Sequence, residues 1–391
     1  MRISRASLFS VVFSLLTAAS TFAGDALDQW YLRDARVVNK VRFVGGLFIG
    51  VGNNGTVLTS PDGQTWTARS SGTTANLYGI TFGTFLFPTP SRFVAVGAGG
   101  TILLSLDAID WLPANSGYTC DLNDVAAGNS SVIASTTKNN SNEPNLLTSS
   151  SGISWSPRFL TNGIISGTWT HHIAVAGNTF IVASGNGLGD EIWTSTGSSW
   201  QSRGLVSLAL RGVAYGNNRL VGIGFENSPI VSTNTGATWF RAPESIGCPA
   251  NGSCLQGHDV AFGNSTFVAL KYSSGLVTTT NGLNWLSRSA LIGKNLNSIT
   301  FGNGTFVAAG ANGIYQSEPV STPGLSVAKN SSSNAVNITA TGEVNRGYRL
   351  QTSTNLSDWF DRLSYTNASP TMEFVEPVTN SLPLFYRAVT P

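Results

Sequence analysis

The chain has 391 residues, of which 41% are apolar and only 11% charged, and it carries 43 glycines. That length admits two domains and a large buried core, and the apolar fraction excludes a disordered Gly/Ser/Asn-rich chain. The same composition suits many short strands joined by tight turns and excludes a mostly helical protein.

Residues 1–23 read as a secretory signal. Arg2 and Arg5 give the positive start, Leu8 to Ala18 the apolar stretch, and Thr21-Phe22-Ala23 a small-residue cleavage site before Gly24. The expected destination is secreted, periplasmic or cell-surface. No transmembrane segment is expected once the signal is removed, because no other run is long and apolar enough. Without Arg2 and Arg5, 20 basic residues face 20 acidic ones. A near-neutral chain with no basic stripe is not suited to nucleic acid.

Seven tryptophans follow, Trp30, Trp66, Trp111, Trp155, Trp200, Trp239 and Trp285, at intervals of 36, 45, 44, 45, 39 and 46 residues. Each interval, and the stretch after Trp285, holds a pair of alternating apolar segments around a turn, as in Asn297–Phe301 and Thr305–Ala309 either side of Gly302-Asn303-Gly304. Copies of the pair occur at Val41–Phe43, Ile80–Phe82, Val125–Ala127, Ile173–Val175, Val213–Tyr215 and Val260–Phe262 with their partners. The second alone carries an insertion, Thr84 to Ser91. A third strand, a polar turn and the tryptophan strand complete each unit, as in Thr56-Val-Leu-Thr-Ser-Pro-Asp-Gly-Gln-Thr-Trp66.

A recurrence of this length is one four-stranded propeller blade. The last copy ends at Tyr315-Gln-Ser317 without a tryptophan, whereas the mature chain begins with an orphan one, Trp30. The predicted fold is therefore all-β: a seven-bladed β-propeller over 24–318, closed by the N-terminal strand, with each tryptophan packed between neighbouring blades. Cys248 and Cys254 bound a short Pro/Gly loop that, in an exported protein, makes a local disulfide; Cys120 remains as a buried thiol. The Asn-x-Ser/Thr triplets at Asn264 and Asn303 coincide with hairpin turns and are read as turn chemistry.

After a linker at 319–324, residues 325–391 hold six short alternating segments and predict a small antiparallel β-sandwich. They read as Leu325–Ala328, Ala335–Thr341, Tyr348–Ser353, Trp359–Leu363, Thr371–Val375 and Leu384–Val389.

The Ser-x-Asp-Gly-x-x-Trp pattern following Phe-Val-Ala-x-Gly resembles the Asp-box (BNR-like) propellers, and more closely the photosystem II assembly factor-like repeats of exported bacterial proteins. The resemblance spans roughly 28–318 and implies fold far more than activity. The Arg-Ile-Pro segment and arginine triad of sialidases have no counterpart, which argues against sialidase activity. The phrase from Gly347 to Trp359, with Phe385-Tyr-Arg-Ala-Val389, resembles the C-terminal immunoglobulin- or fibronectin-like modules of secreted repeat proteins. Such modules imply a spacer, an attachment element or an export signal.

In a propeller the first strand of every blade lines the channel. Aligning those strands collects Asn39, Tyr78, Asn123, His171, Arg211, His258 and Asn297 in one register, and Lys40, Gly79, Asp124, His172, Gly212, Asp259 and Ser298 in the next. All three histidines fall in these two positions. The candidate ligand-binding set is Tyr78, Asn123, His171, Arg211, His258 and Asn297, with Asp124 and Asp259. Its donors, acceptors and flat faces suit a hydroxyl-rich or carboxylated ligand.

The expected function is non-catalytic binding or scaffolding by a monomer, directed at a glycan or a cell-envelope protein, with no cofactor. The alternative is a carbohydrate-active enzyme. A polysaccharide lyase would use His171 or His258, Tyr78 and Arg211 as base, acid and neutraliser. A glycoside hydrolase would pair Asp124 with Asp259, which lie three blades apart. No metal is expected: the neighbours His171 and His172 on an extended strand point to opposite sides.

Overall fold

The computed structural model describes residues 26–389 apart from 138–141, 161–171, 186–189, 198, 207–209, 225–228, 243–256, 272–273, 321–323, 330–334, 342–346, 355–357, 367–370 and 378–384. The expected signal and the expected Cys248–Cys254 pair lie outside the described residues; Cys120 is a buried free cysteine. The chain divides into two compact units, 26–322 and 323–389.

The larger unit is all-β. Among the described residues it holds seven four-stranded antiparallel sheets. The first is made of Lys40–Val44, Leu47–Val51, Val57–Ser60 and Thr67–Arg69. The next five begin with Leu77–Gly83, Leu122–Gly128, His172–Ala176, Leu210–Gly216 and Gly257–Gly263. The seventh contains Leu296–Gly302, Thr305–Gly310 and Gly313–Ser317, and its fourth strand is Trp30–Asp34 from the other end of the chain. Trp30 faces Ser317 and Leu32 faces Tyr315 in that pairing. Each sheet's first strand touches the first strand of the next, and the seventh touches the first.

The tryptophans sit where sheets meet. Every hydrophobic cluster of this unit straddles two consecutive sheets and takes in one of the seven: Trp66 packs with Val41 and Leu58 against Val307 and Ile314, and Trp111 with Ile80 and Phe93 against Val51 and Val57. Trp155, Trp200, Trp239, Trp285 and Trp30 join the other five. An aromatic of this size carries much of the apolar area an interface can bury, while its N–H needs a partner. The preceding turn supplies one. The indoles of Trp66, Trp155, Trp239 and Trp285 donate to the carbonyls of Gly63, Gly152, Gly236 and Gly282 at 2.9 to 3.2 Å.

Those turns are locally specified. Ser60 Oγ accepts from the Gly63 N–H at 2.8 Å, and the Asp62 carboxylate accepts from Gln64 N and Thr65 N at 2.8 and 3.1 Å. Ser105 with Asp107, and Thr279 with Asn281, repeat the arrangement. Short polar side chains that satisfy the backbone in this way specify the turn through contacts within the turn itself. Asn264 and Asn303 take left-handed φ of 46° and 48° at their hairpins, as turn residues do.

The smaller unit has two three-stranded antiparallel sheets. One orders Gly324–Lys329, Ala335–Thr341 and Thr371–Pro377; the other orders Phe360–Thr366, Gly347–Ser353 and Phe385–Val389. Ile338, Ala340, Tyr348 and Leu350 are buried. The Tyr365 ring meets Phe374 of the opposite sheet edge-on at 5.0 Å. Trp359 is covered by the Arg387 guanidinium, 4.2 Å from its ring centre.

Candidate functional site

Five of the first strands share a defect. Ladder register shifts between Leu77 and Gly79, Leu122 and Asp124, Leu210 and Gly212, Gly257 and Asp259, and Leu296 and Ser298. The extra residue of each bulge is Tyr78, Asn123, Arg211, His258 or Asn297. A bulge leaves one residue out of the ladder, bends the strand and re-aims that side chain. All five of these side chains line a single cavity of about 340 Å³. Lys40 of the first sheet with Asn39 just before it, Asp121 and His172 complete the lining.

Of the sequence-derived set, the cavity thus brings together Tyr78, Asn123, Arg211, His258 and Asn297. His171 lies outside the described residues; its neighbour His172 reaches the cavity. Asp124 and Asp259 do not line it. They are 4% and 2% exposed, in the wall beneath. Asp124 accepts from Val125 N at 2.9 Å and from Ile173 N of the next sheet at 3.2 Å. Asp259 accepts from Val260 N at 3.0 Å, and from Ile299 N and Ser298 Oγ of the seventh sheet at 3.1 and 3.2 Å. These carboxylates tie consecutive strands together. Glycine opposite them makes the room: a Cβ on Gly212 would fall 2.9 Å from Asp259 Cα, and one on Gly79 3.2 Å from Asp124 Cα.

Asp259 also anchors two cations of the first sheet. Arg42 Nη1 lies 3.0 Å and Lys40 Nζ 3.6 Å from its Oδ2. Burial alone would raise the Asp259 carboxyl, but Lys40 and Arg42 outweigh it and hold the group far below the usual carboxylate range. Burial opposes the charge of Arg42 as well, and Asp259 and Asp124 more than restore it. His172 Nδ1 stands 3.8 Å from Asp124 Oδ2, close enough for an ion pair if protonated. Burial, and after it Lys40, lower its pKa to about 4, so the contact is one between a neutral imidazole and a carboxylate. His258 is lowered too, by burial and then by Arg211.

The cavity therefore presents Arg211, two neutral imidazoles, a phenol, three carboxamides and the Asp121 carboxylate, with Lys40 paired to Asp259 in a floor of internally matched charge. Such a set can hold a polar ligand through many hydrogen bonds and one or two charge-assisted ones. Among the described residues no three His, Cys, Asp or Glu side chains converge as metal ligands. Sequence reasoning missed Arg42 and Asp121. Arg42 was within reach, since it follows Lys40 by two residues on a strand and so shares its face.

Comparison with solved structures shows the fold class: the chain is similar to β-propeller proteins. It matches YCF48 bound to D1 peptide with a TM-score of 0.56 at 16% identity, over 75% of this chain and 97% of that one. PorZ, an essential surface component of the type-IX secretion system of Porphyromonas gingivalis, matches with a TM-score of 0.58 at 12% identity over 91% of this chain. The chain spans 59% of PorZ. Sqt1 of Saccharomyces cerevisiae gives 0.52 at 11% identity, covering 80% and 95% of the two chains. No family model and no curated protein sequence matches the chain. No helix among the described residues is long and apolar enough to cross a membrane.

Proposed function

We propose that the protein is an exported, non-catalytic binding propeller that takes a segment of a cell-envelope protein at the mouth of its channel. In this reading residues 1–23 are a signal, residues 24–318 form seven Asp-box-type blades closed by the N-terminal strand, and 325–391 form an immunoglobulin- or fibronectin-like sandwich. Closure is supported by the Trp30–Ser317 pairing, and the blade count by the seven sheets whose first strands touch in turn. The observation that carries the binding role is the convergence of five bulge residues from five sheets on one cavity. Bulges are retained where a side chain must be aimed, and a ring of them aims five at one volume. A propeller fold alone would not select binding over catalysis. YCF48, which has the same fold, is described in complex with a peptide, and that favours a protein partner over a glycan.

Single substitutions Tyr78→Ala, Arg211→Ala and His258→Ala, compared with the unaltered chain on peptide and glycan arrays, test this. Array binding that all three variants reduce at least tenfold is the expected result. Binding that none of them changes would remove the cavity from the function. Capture of glycans with no peptide signal would move the partner to sugars.

A second reading keeps one supporting observation. Tyr78, Arg211 and His258 share the cavity, and a polysaccharide lyase needs an acid, a carboxylate neutraliser and a base in one place. Unsaturated product from acidic polysaccharides, lost in the same variants, would replace the binding reading with that one.

A further inference from the structure

We infer that the end of the propeller opposite the cavity docks on a zwitterionic lipid surface, into which Leu86 and Phe87 insert. The inference goes beyond the binding reading above and concerns other residues.

The loop that carries them is an exception within its own repeat. Six of the seven hairpins between first and second strands turn through two residues, whereas the second sheet's passes from Gly83 to Arg92 through eight, Thr84 to Ser91. That loop is anchored at its base and closed at its tip. Phe85 packs back into the cluster shared by the second and third sheets, and its ring centre lies 5.9 Å from the Arg92 guanidinium. Thr89 N donates to the Leu86 carbonyl at 3.0 Å, which folds Leu86–Thr89 into a turn. Leu86 is left 74% exposed and Phe87 97% exposed. At that value the phenyl ring touches almost nothing of the chain, so it projects rather than lining a groove. Contiguous apolar side chains held clear of a surface mark a contact with something else.

Neighbouring turns extend the patch. In an antiparallel meander the turn between third and fourth strands opens at the same end as the first hairpin. The second sheet's turn exposes Leu106 and Ile109 there, where the first sheet has Pro61 and Gln64, and the third sheet's exposes Ile153. Ile153 belongs with the loop, since a Cβ on the adjacent Gly152 would lie 3.5 Å from the Phe85 ring. The first strand runs from Tyr78 in the cavity to Gly83 at the foot of the loop. The patch therefore stands roughly 20 Å from the cavity along that strand. A lipid contact at one end leaves the other open to a partner.

Shape and charge together select the occupant. The five side chains sit on three separate turns. A protein would have to interdigitate with all three to reach the packing of a stable interface, whereas a fluid headgroup and acyl boundary closes around projecting side chains. None of the three turns carries a lysine or arginine, and Asp107 and Asp110 are exposed beside Leu106 and Ile109. Anionic headgroups attract basic segments and repel carboxylates such as these. Apolar insertion, and not charge attraction, holds the protein, and neutral lipid is the surface it fits.

Flotation of the mature chain, residues 24–391, with vesicles tests this. Two compositions are compared, phosphatidylcholine alone and phosphatidylcholine mixed equally with phosphatidylglycerol. The chain should float with the neutral vesicles, equally at low and high salt, and less with the anionic ones. Phe87→Ser and Leu86→Ser should each lower partitioning onto neutral vesicles about tenfold, the effect of withdrawing one large apolar side chain. Phe87→Trp should keep it, because an indole suits the membrane interface. Phe360→Ser, at an exposed phenylalanine of the smaller unit, should change nothing. A thermal melt of each variant checks that it folds. Flotation with neither composition would overturn the inference and leave a cleft in a partner protein as the cover for the tip. Flotation that both serine variants keep, or that occurs only with anionic vesicles and is lost in salt, would overturn it as well.

Discussion

Arg42 and Asp259 meet across the seventh sheet: Nη1 of an arginine on the first sheet lies 3.0 Å from Oδ2 of an aspartate on the sixth. The same oxygen accepts from Ser298 Oγ and Ile299 N of the sheet between them, so three sheets are pinned at one atom. Removing one partner of a buried pair strands the other, at a cost of about 3–5 kcal/mol. Asp259→Asn is expected to lower stability by about that much in urea unfolding, because Arg42 and Lys40 then lack their counter-charge. Adding Arg42→Met should return part of the loss. A cost below about 1 kcal/mol for Asp259→Asn would mean that water, and not the carboxylate, balances the two cations.

The N-terminal strand makes a second prediction. Leu27 is 1% exposed in the cluster that joins the sixth and seventh sheets, and Trp30 Nε1 donates to its carbonyl at 2.8 Å. Gln316 extends the tie, accepting from Arg33 Nε at 2.9 Å and donating to the Asp62 carbonyl at 2.8 Å. Leu27→Ala should cost about 2–5 kcal/mol, as other buried leucine truncations do. Deleting residues 26–34 bares the Gly313–Ser317 edge, and exposed edges pair with other chains. Size-exclusion chromatography should then show aggregates; a monodisperse, cooperatively unfolding product would show that the strand is dispensable.

Much of this was legible in the residues themselves. Tryptophan spacing located every inter-sheet cluster, because the indole follows the polar turn at a fixed distance within its repeat, and in Trp66, Trp155, Trp239 and Trp285 it is bonded to that turn. The orphan Trp30 pointed to the pairing with the seventh sheet. The cavity was legible only in part, because a bulge inserts one residue and swaps the face that the following positions occupy. In the five bulged strands the residue before the Gly, Asp or Ser position lines the cavity. In the first sheet, where Lys40 pairs directly with Val51, both Asn39 and Lys40 line it, and in the fourth His172, paired with Ala183, does so. Counting along the chain collects Asn39, Tyr78, Asn123, Arg211, His258 and Asn297 in one register but does not show the bulges that aim five of them. Nor does sequence show that Asp124 and Asp259 turn into the wall, since that depends on a backbone N–H of the next sheet lying within reach.

Sheet-to-sheet spacing near the hairpins depends on glycine. A Cβ on Gly302 would lie 2.1 Å from the Phe43 ring, and one on Gly263 2.0 Å from the ring of Phe301. Each ring is held by a second one, Phe48 at 4.8 Å for Phe43 and Phe306 at 4.7 Å for Phe301, so neither is free to swing aside. Gly302→Ala should therefore destabilise by about 1–3 kcal/mol or more through overpacking. Phe43→Leu in the same chain should offset part of that, which denaturant midpoints for the two single variants and the double variant would reveal. Strictly additive losses would place the strain elsewhere.

Acid should weaken the fold in two separate windows. His172 titrates at about 4 in the native protein against an ordinary 6.5, because burial and then Lys40 disfavour its charged form. Between those values the unfolded chain binds a proton that the native chain refuses. The native advantage is therefore intact above pH 6.5 and is lost as pH falls toward 4, by an amount on the order of 3 kcal/mol. His258, lowered by burial and Arg211, acts in the same sense. Asp259 acts later: its pKa is depressed from 3.8, so its contribution is present above that value and fades only below it. Denaturant midpoints measured from pH 7.5 to 2.5 should fall steadily down to about pH 4 in the unaltered chain and less in His172→Gln, with both curves steepening below pH 3.8. Parallel curves for the two proteins across the upper window would mean that His172 is not held neutral by its surroundings.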